Sequence, residues 1–393
     1  MKSALLNPDV QDFINSKVDI AIAKLAFEKN PFTDVLWADI LNQISCKSKA
    51  KTKLPTFFGC KNIVYPSKVS MEQTSSEKTA SYKAEIISGN SIIDLTGGFG
   101  ADDFYFAKRF KTVFYCEMNF DLYNIVKHNF EQLASTNINC FFGDSLEILK
   151  KIDQKFDWIY IDPSRRNDEK GKVFMLNDCE PNVSENIDFY FEKSANIFIK
   201  TAPLLDISAG IRELIHVKEI HVVAIENEVK ELLWILNKNY EVHIKIKTIN
   251  FSRDKMQKFE FDFENKNQFS NFGLPQKYLY EPNAAIMKSG GFDAISAQFE
   301  LLKLHQNTHL YTSLFLIEFP GRVFEILEKL EYNKPNIAKH LKNKQANITT
   351  RNFVETVAQI RDKWKIKDGG NNYCFFTTDI NNKTIFLICK KLV

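Results

Sequence analysis

A chain of 393 residues, 44% of them apolar, is long enough for two to four domains of roughly 100–200 residues with packed cores. Its net charge of only +3 excludes a global polyelectrolyte character, and seven scattered cysteines without a Cys-x-x-Cys pair argue for reduced thiols rather than a zinc site or a disulfide framework. No apolar run approaches the ~20 residues of a membrane span and the N-terminus lacks a signal-peptide core, so a soluble, cytoplasmic protein with no metal and no membrane partner is expected.

Residues 1–85 read as a helical region. Residues 18–27 are apolar at helical spacing, and residues 37–44 form a second amphipathic helix. Lys47, Lys49, Lys51, Lys53 and Lys61 follow with no acid among them. Thr74 with Glu77 three residues on fits a capping box opening a further helix. Residues 74–82, bringing the hydroxyls of Ser75, Ser76 and Thr79, are expected to pack as a lid over a ligand cleft.

Four apolar runs come next, each ending in an acid. Ser-Ile-Ile-Asp-Leu-Thr-Gly-Gly-Phe-Gly (residues 91–100) turns through glycines after Asp94. Thr-Val-Phe-Tyr-Cys-Glu (112–117) ends in Glu117, Asn-Cys-Phe-Phe-Gly-Asp (139–144) in Asp144, and Phe-Asp-Trp-Ile-Tyr-Ile-Asp-Pro (156–163) in Asp162-Pro163. Helix-length segments separate them. Residues 195–202 supply a fifth strand and 219–225 a sixth, the latter expected to lead into a helix through Leu236. Residues 243–251 alternate and pair with 258–263, and the Asn-rich residues 265–272 read as a linker.

Beyond Pro275 the pattern becomes α+β. Residues 278–287 form a short strand, 292–302 a helix, and 309–319 a turn and strand. Helices are expected at 323–330, 337–341 and 350–363. A hairpin pairs 373–378 with 384–390 around Asp379-Ile380-Asn381-Asn382.

Buried-type strands with acids at their carboxyl ends describe a doubly wound sheet, whose ligands bind just outside those ends. The order and chemistry of these ends resemble class I S-adenosylmethionine (AdoMet) methyltransferases. The resemblance implies an α/β chain: a Rossmann-like, seven-stranded methyltransferase domain with a helical N-terminal region and a smaller α+β C-terminal half. In that family the glycine loop holds the cofactor's amino-acid moiety, and Asp94 suits its ammonium group. Glu117 can accept two hydrogen bonds from ribose hydroxyls, and Asp144 sits where the family places an acid near the adenine amine. Asp94, Thr96, Gly97, Gly98, Phe99, Gly100, Glu117, Met118, Asp144 and Ser145 are therefore the expected cofactor residues. A dinucleotide enzyme would need a pyrophosphate at the N-terminus of the following helix, where Asp102 and Asp103 would repel it.

Asp162-Pro163-Ser164-Arg165-Arg166 keeps the Asp-Pro start of methyltransferases that act on exocyclic amines, without their stacking aromatic residue. Asp162 is the expected catalytic acid. Pro163, Ser164, Arg165, Arg166, Lys200, Asn227 and Glu228 are the expected substrate side, with the arginines suited to phosphate, carboxylate or a base plane. No cysteine lies in the loops after the fourth or fifth strand, which disfavours covalent methylation of a pyrimidine carbon. Residues 321–393 carry fourteen Lys/Arg against seven Asp/Glu. Lys334, Lys339, Lys342 and Lys344 stand together, a charge pattern suited to nucleic acid.

The whole chain resembles a bacterial family that joins a class I methyltransferase domain to a ferredoxin-like module and a THUMP-like domain. The residues that carry the likeness are 71–80 (Met-Glu-Gln-Thr-Ser-Ser-Glu-Lys-Thr-Ala), 94–100, 162–166, 280–285 (Tyr-Glu-Pro-Asn-Ala-Ala), 319–322 (Phe-Pro-Gly-Arg) and 367–370 (Lys-Asp-Gly-Gly). It implies a helical region over 1–85, the methyltransferase domain over 86–265, the ferredoxin-like module over 275–318 and the THUMP-like domain over 319–393 as an RNA grip. The implied function is AdoMet-dependent methylation of RNA, tRNA or rRNA. A small-molecule or protein methyltransferase, or a catalytically silent AdoMet-fold RNA-binding protein, are the alternatives.

Overall fold

The five runs that end in polar residues fold as parallel strands: Ser91–Asp94 (β1), Thr112–Glu117 (β2), Ile138–Phe142 (β3), Trp158–Ile161 (β4) and Asn196–Thr201 (β5). The structure, a computed structural model, describes residues 3–165, 175–253, 255–264 and 269–392. It divides into two compact units, Met1–Val217 with Trp234–Tyr240, and Lys218–Leu233 with Glu241–Val393.

In the first unit the strands lie in the order β5-β4-β1-β2-β3. Helices Ala101–Phe106, Phe120–Gln132, Ser145–Lys151 and Val183–Lys193 alternate with them along the chain. The strand order reverses between β1 and β4, and a doubly wound sheet opens its ligand crevice at such a point. The C-terminal part of the strand Glu228–Asn237 (β7) adds beside β5, where the buried Trp234 indole N–H donates to Thr201 Oγ1 at 3.0 Å.

The N-terminal region is helical, as its periodicity predicts. Pro8–Lys17 and Trp37–Lys53 pack Val10, Ile14, Ile40 and Ile44 into one core. Residues 18–27 contribute only the short helix Ile22–Leu25. The expected capping box is not formed. Ser76 caps Glu77–Ile86 by accepting from the Thr79 N–H, while Thr74 Oγ1 donates to the Ser70 carbonyl. Glu77 instead accepts from the N–H and hydroxyl of Thr56, at 2.8 and 2.9 Å. A non-local partner has outcompeted the local one.

The second unit extends the parallel pattern. Val217–Ile225 (β6) pairs in parallel with Lys245–Phe251 (β8), which pairs antiparallel with Met256–Asp262 (β9). The helix expected through Leu236 is a strand. Glu226 and Asn227 both take positive φ, 49° and 64°, the two-residue turn of a β-hairpin, and β7 returns beside β6. Residues 232–236, Leu-Leu-Trp-Ile-Leu, are all buried, so neither face of this strand shows alternation.

An eight-stranded sheet completes the unit. Its order is Asn271–Phe272, Leu302–Lys303, Tyr311–Ser313, Tyr278–Pro282, Gly321–Glu331, Thr384–Lys391, Asn372–Thr378 and Asn347–Arg351. The hairpin around Asp379 forms as expected. The helix expected over 323–330 is instead the eleven-residue strand Gly321–Glu331, and the segment expected as a helix over 350–363 splits into a strand ending at Arg351 and the helix Val357–Trp364. Gly321 is required here: an added Cβ would lie 2.1 Å from the Glu281 carbonyl oxygen. Part of the expected linker, residues 265–268, lies outside the described residues.

Candidate functional site

The loop after β1 is built by hydrogen bonds between strand ends. Asp94 is buried, and its Oδ1 accepts from both the N–H and the hydroxyl of Thr96, at 2.7 and 3.0 Å. Thr96 Oγ1 in turn accepts the Asp162 N–H at 2.7 Å. One hydroxyl thus ties the end of β1 to the end of β4. Glu117 holds the same loop from β2, accepting from the Gly98 N–H at 3.1 Å and the Asn119 N–H at 2.7 Å. Burial raises its pKa, opposed by these backbone N–H groups.

The three glycines have different duties. A Cβ on Gly97 would lie 2.2 Å from the Tyr115 ring, and Gly100, at φ 71°, packs against Phe130 and Val126. Gly98, at φ 56°, meets nothing closer than 3.6 Å. Of the three, Gly98 alone has open space where a Cβ would stand. Tyr115 fixes it by donating its hydroxyl to the Gly98 carbonyl at 2.7 Å. Phe99 is buried against Phe57 and Tyr65, so its side chain supports the loop from within. Met118 is exposed beside Glu117, and Phe142, at the end of β3, is exposed against Phe120. Asp144 caps the helix Ser145–Lys151 by accepting from the Glu147 N–H at 3.0 Å, which leaves its outer oxygen open and Ser145 on the first turn.

Asp102 and Asp103 do not project toward a ligand. Asp102 lies beneath the loop, where Lys83 Nζ stands 3.0 Å from its Oδ1 and the hydroxyls of Ser75 and Tyr160 donate to Oδ2 at 2.9 and 2.8 Å. Burial opposes its ionisation, but Lys83 and then Lys200 override that and hold its pKa below the usual value. Of residues 74–82, expected as a lid, Ser75 meets Asp102 through a buried hydroxyl, and Lys83, the next residue in the chain, through its ammonium group. Asp103 is fully buried between Asp94 and Asp102. No donor from another described residue reaches its oxygens, and the Asp94 and Asp102 carboxyls lie nearby. Burial, then the Asp94 and Asp102 charges, push Asp103 well up; burial, with Asp102 and Asp162 nearby, pushes Asp94 up to about 7 against the Thr96 bond. The sequence gives no signal for these neighbouring buried carboxyls, nor for Lys83.

Past the end of β4, Lys200 from the end of β5 forms an ion pair with Asp162 Oδ2. Pro163 is buried and Ser164 exposed; Ser164 and Arg165 pair antiparallel with Glu180 and Cys179. Arg166 lies outside the described residues. Asn227 and Glu228 belong to the second unit. Asn227 is occupied structurally, its N–H donating to Asn250 Oδ1 and its Oδ1 accepting from the Ala284 N–H at 2.7 Å. Glu228 pairs with Lys230 at 2.7 Å. Among the described residues no cluster of three or more His, Cys, Asp or Glu could hold a metal ion, and no helix is long and apolar enough to cross a membrane.

No curated protein matches the chain. Residues 278–320 match a ferredoxin-like domain and residues 321–391 a THUMP domain-like family. The crystal structure of a "putative methyltransferase" from Porphyromonas gingivalis W83 is 30% identical, with a TM-score of 0.88 over 100% of this chain and 99% of that one. An rRNA methylase from Streptococcus thermophilus is 14% identical, with a TM-score of 0.30 over 41% of this chain and 94% of that one. TrmK from M. capricolum, in complex with S-adenosyl-homocysteine, is 16% identical, with a TM-score of 0.31 over 45% and 70%. These last two likenesses are too low to carry an argument. The full-length match does carry one, and the two domain matches fall on its C-terminal half: the chain belongs to the family of class I methyltransferase proteins that carry a ferredoxin-like domain followed by a THUMP-like domain.

Proposed function

We propose that the chain transfers the methyl group of AdoMet to a nitrogen of RNA. The observation that carries the reading is the Thr96 tether, which fixes Asp162 against the same loop that Glu117 clasps. Cofactor side and acceptor side are thereby held in one register. The open space at the Gly98 Cα, the carboxylate of Glu117 and the exposed Met118 fit the amino-acid, ribose and adenine parts of AdoMet in turn. When bound, AdoMet supplies an electrophilic methyl group on a sulfonium sulfur. Lys200 takes Oδ2 of Asp162 and leaves Oδ1 to accept an N–H from an incoming exocyclic amine. That bond orients the amine and receives the proton it must shed on methylation, as a positioned acid can.

Charge supports RNA as the acceptor. Three of the lysines of residues 47–61 have partners within the chain: Lys49 pairs with Glu72, Lys51 with Asp19, and Lys53 donates to the carbonyls of Met71 and Glu72. Lys334, Lys339, Lys342 and Lys344 are all exposed and make no ion pair with a described acid, so their charge remains available to a polyanion. The test is transfer of labelled methyl from AdoMet to total RNA of a strain lacking the gene, followed by nucleoside mass spectrometry. Label should appear in one modified nucleoside, and Asp162→Ala should abolish it while AdoMet and RNA still bind. AdoMet and RNA binding without label in any RNA would leave a silent binding protein; label in protein or small molecules would name another acceptor.

A further inference from the structure

Glu281, Arg322 and Arg351 come from three strands of the eight-stranded sheet and meet at one point. Alternation along Tyr278–Pro282 puts Leu279 and Glu281 on one face. Leu279 belongs to a core with Leu304, Phe324, Phe375 and Leu387, so Glu281 is a carboxylate at the end of an apolar face, only 3% exposed. Arg322 is its cross-strand partner: its Nε donates to Oε2 at 2.6 Å and its Nη2 contacts the same oxygen. Arg351 lies on the far edge strand, yet its Nη2 donates to Oε1 at 2.7 Å. The sheet curls until its edge closes on this carboxylate.

A buried carboxylate needs only one cation to be neutralised. Here two guanidinium groups share it, and their side chains remain 38% and 36% exposed. Neither bond to Glu281 uses Nη1 of Arg322, which leaves that edge of its fork to an incoming anion; Arg351 Nη1 donates to the Thr350 carbonyl at 3.1 Å, and its buried Nε–H has no hydrogen-bond partner among the described residues. Lys303, buried, stands 4.0 Å from Asp293. Two guanidinium groups on one carboxylate leave a net positive charge; the nearby His309 imidazole is pushed down to about 4, by burial first and then by Lys303 and Arg351, against Asp293.

We propose that Arg322 and Arg351, braced on Glu281, clamp a backbone phosphate of RNA. The inference rests on the RNA reading above and assigns it a site distinct from the exposed lysines. A guanidinium presents a planar fork that matches phosphate oxygens, and a fork already fixed by Glu281 loses little freedom on binding. The exposed lysines contribute attraction that depends on charge alone.

The test exchanges each arginine for lysine, which keeps the charge opposite Glu281 and removes the fork. Wild-type protein, Arg322→Lys and Arg351→Lys are titrated with total RNA at several salt concentrations, with thermal unfolding run beside them. Each exchange should weaken RNA binding about tenfold, the scale of a lost charge-assisted bond, with the salt slope nearly kept. Variants that bind as tightly as wild type would overturn the clamp. A second measurement needs no variant: RNA should protect Arg322 and Arg351 of the wild-type protein from phenylglyoxal, and equal modification with and without RNA would overturn it too. The two readings separate cleanly. If RNA is bound and protects the arginines but is never methylated, the catalytic reading falls and the clamp stands; if the wild-type protein binds no RNA, both fall.

Discussion

The carboxyl pair under the glycine loop gives the fold a pH dependence that one atom can remove. Asp94 and Asp103 both have folded-state pKa values above the ordinary carboxylate value, Asp94 at about 7 and Asp103 well above its usual place. The folded protein therefore holds protons that the unfolded chain releases above ~4. This pair favours the folded state most at low pH, and its support is lost as pH rises through about 7 and beyond. Each surplus proton changes stability by ~1.4 kcal/mol per pH unit. Asp103→Asn takes one such proton away at nearly constant shape. Relative to wild type the variant should gain ~1.4 kcal/mol for every unit between about pH 5 and pH 7. Urea unfolding of both proteins across that range reads the difference, and comparing them at each pH cancels the other titrating groups. Parallel stability curves would show that Asp103 carries no surplus proton and would refute the pairing.

Glu117→Ala removes the carboxylate that clasps Gly98 and faces the expected ribose; AdoMet affinity should fall by ~1–3 kcal/mol. Calorimetry on the folded variant checks it, and an unchanged dissociation constant would remove Glu117 from the cofactor site. Gly97→Ala drives a Cβ to 2.2 Å from the Tyr115 ring. The ring must move and release the Gly98 carbonyl, so stability should fall by ~1–3 kcal/mol. A denaturation midpoint equal to that of wild type would contradict this packing.

What could be read from sequence divides along the range of the interactions involved. The ends of β1, β2 and β4 are legible because an apolar run stopped by Asp94, Glu117 or Asp162 is a local pattern, and the hairpin around Asp379 is legible for the same reason. β7 is not: Leu232 to Leu236 are buried on both faces, and a run without alternation cannot distinguish a strand from a buried helix. Gly321–Glu331 fails differently. Its apolar residues Val323, Ile326, Leu327 and Leu330 imitate helical spacing, while the register of the strand comes from Tyr278–Pro282 on one side and Thr384–Lys391 on the other. Inside the site the same division decides which roles were visible. That Asp162 stands at a strand end is local; that its carboxylate meets Lys200 and its N–H meets Thr96 requires β5 and β1 to be in place. Asp102 and Asp103 show the strongest reversal. Two adjacent acids at a helix start look like a barrier to phosphate, but Lys83, Ser75 and Tyr160 draw one inward, and the other is fully buried. The helix start is thus shaped by the charge it buries. The groups left facing outward, Gly98, Glu117, Met118 and Asp162, are those the interior did not consume, and the search for function begins with them.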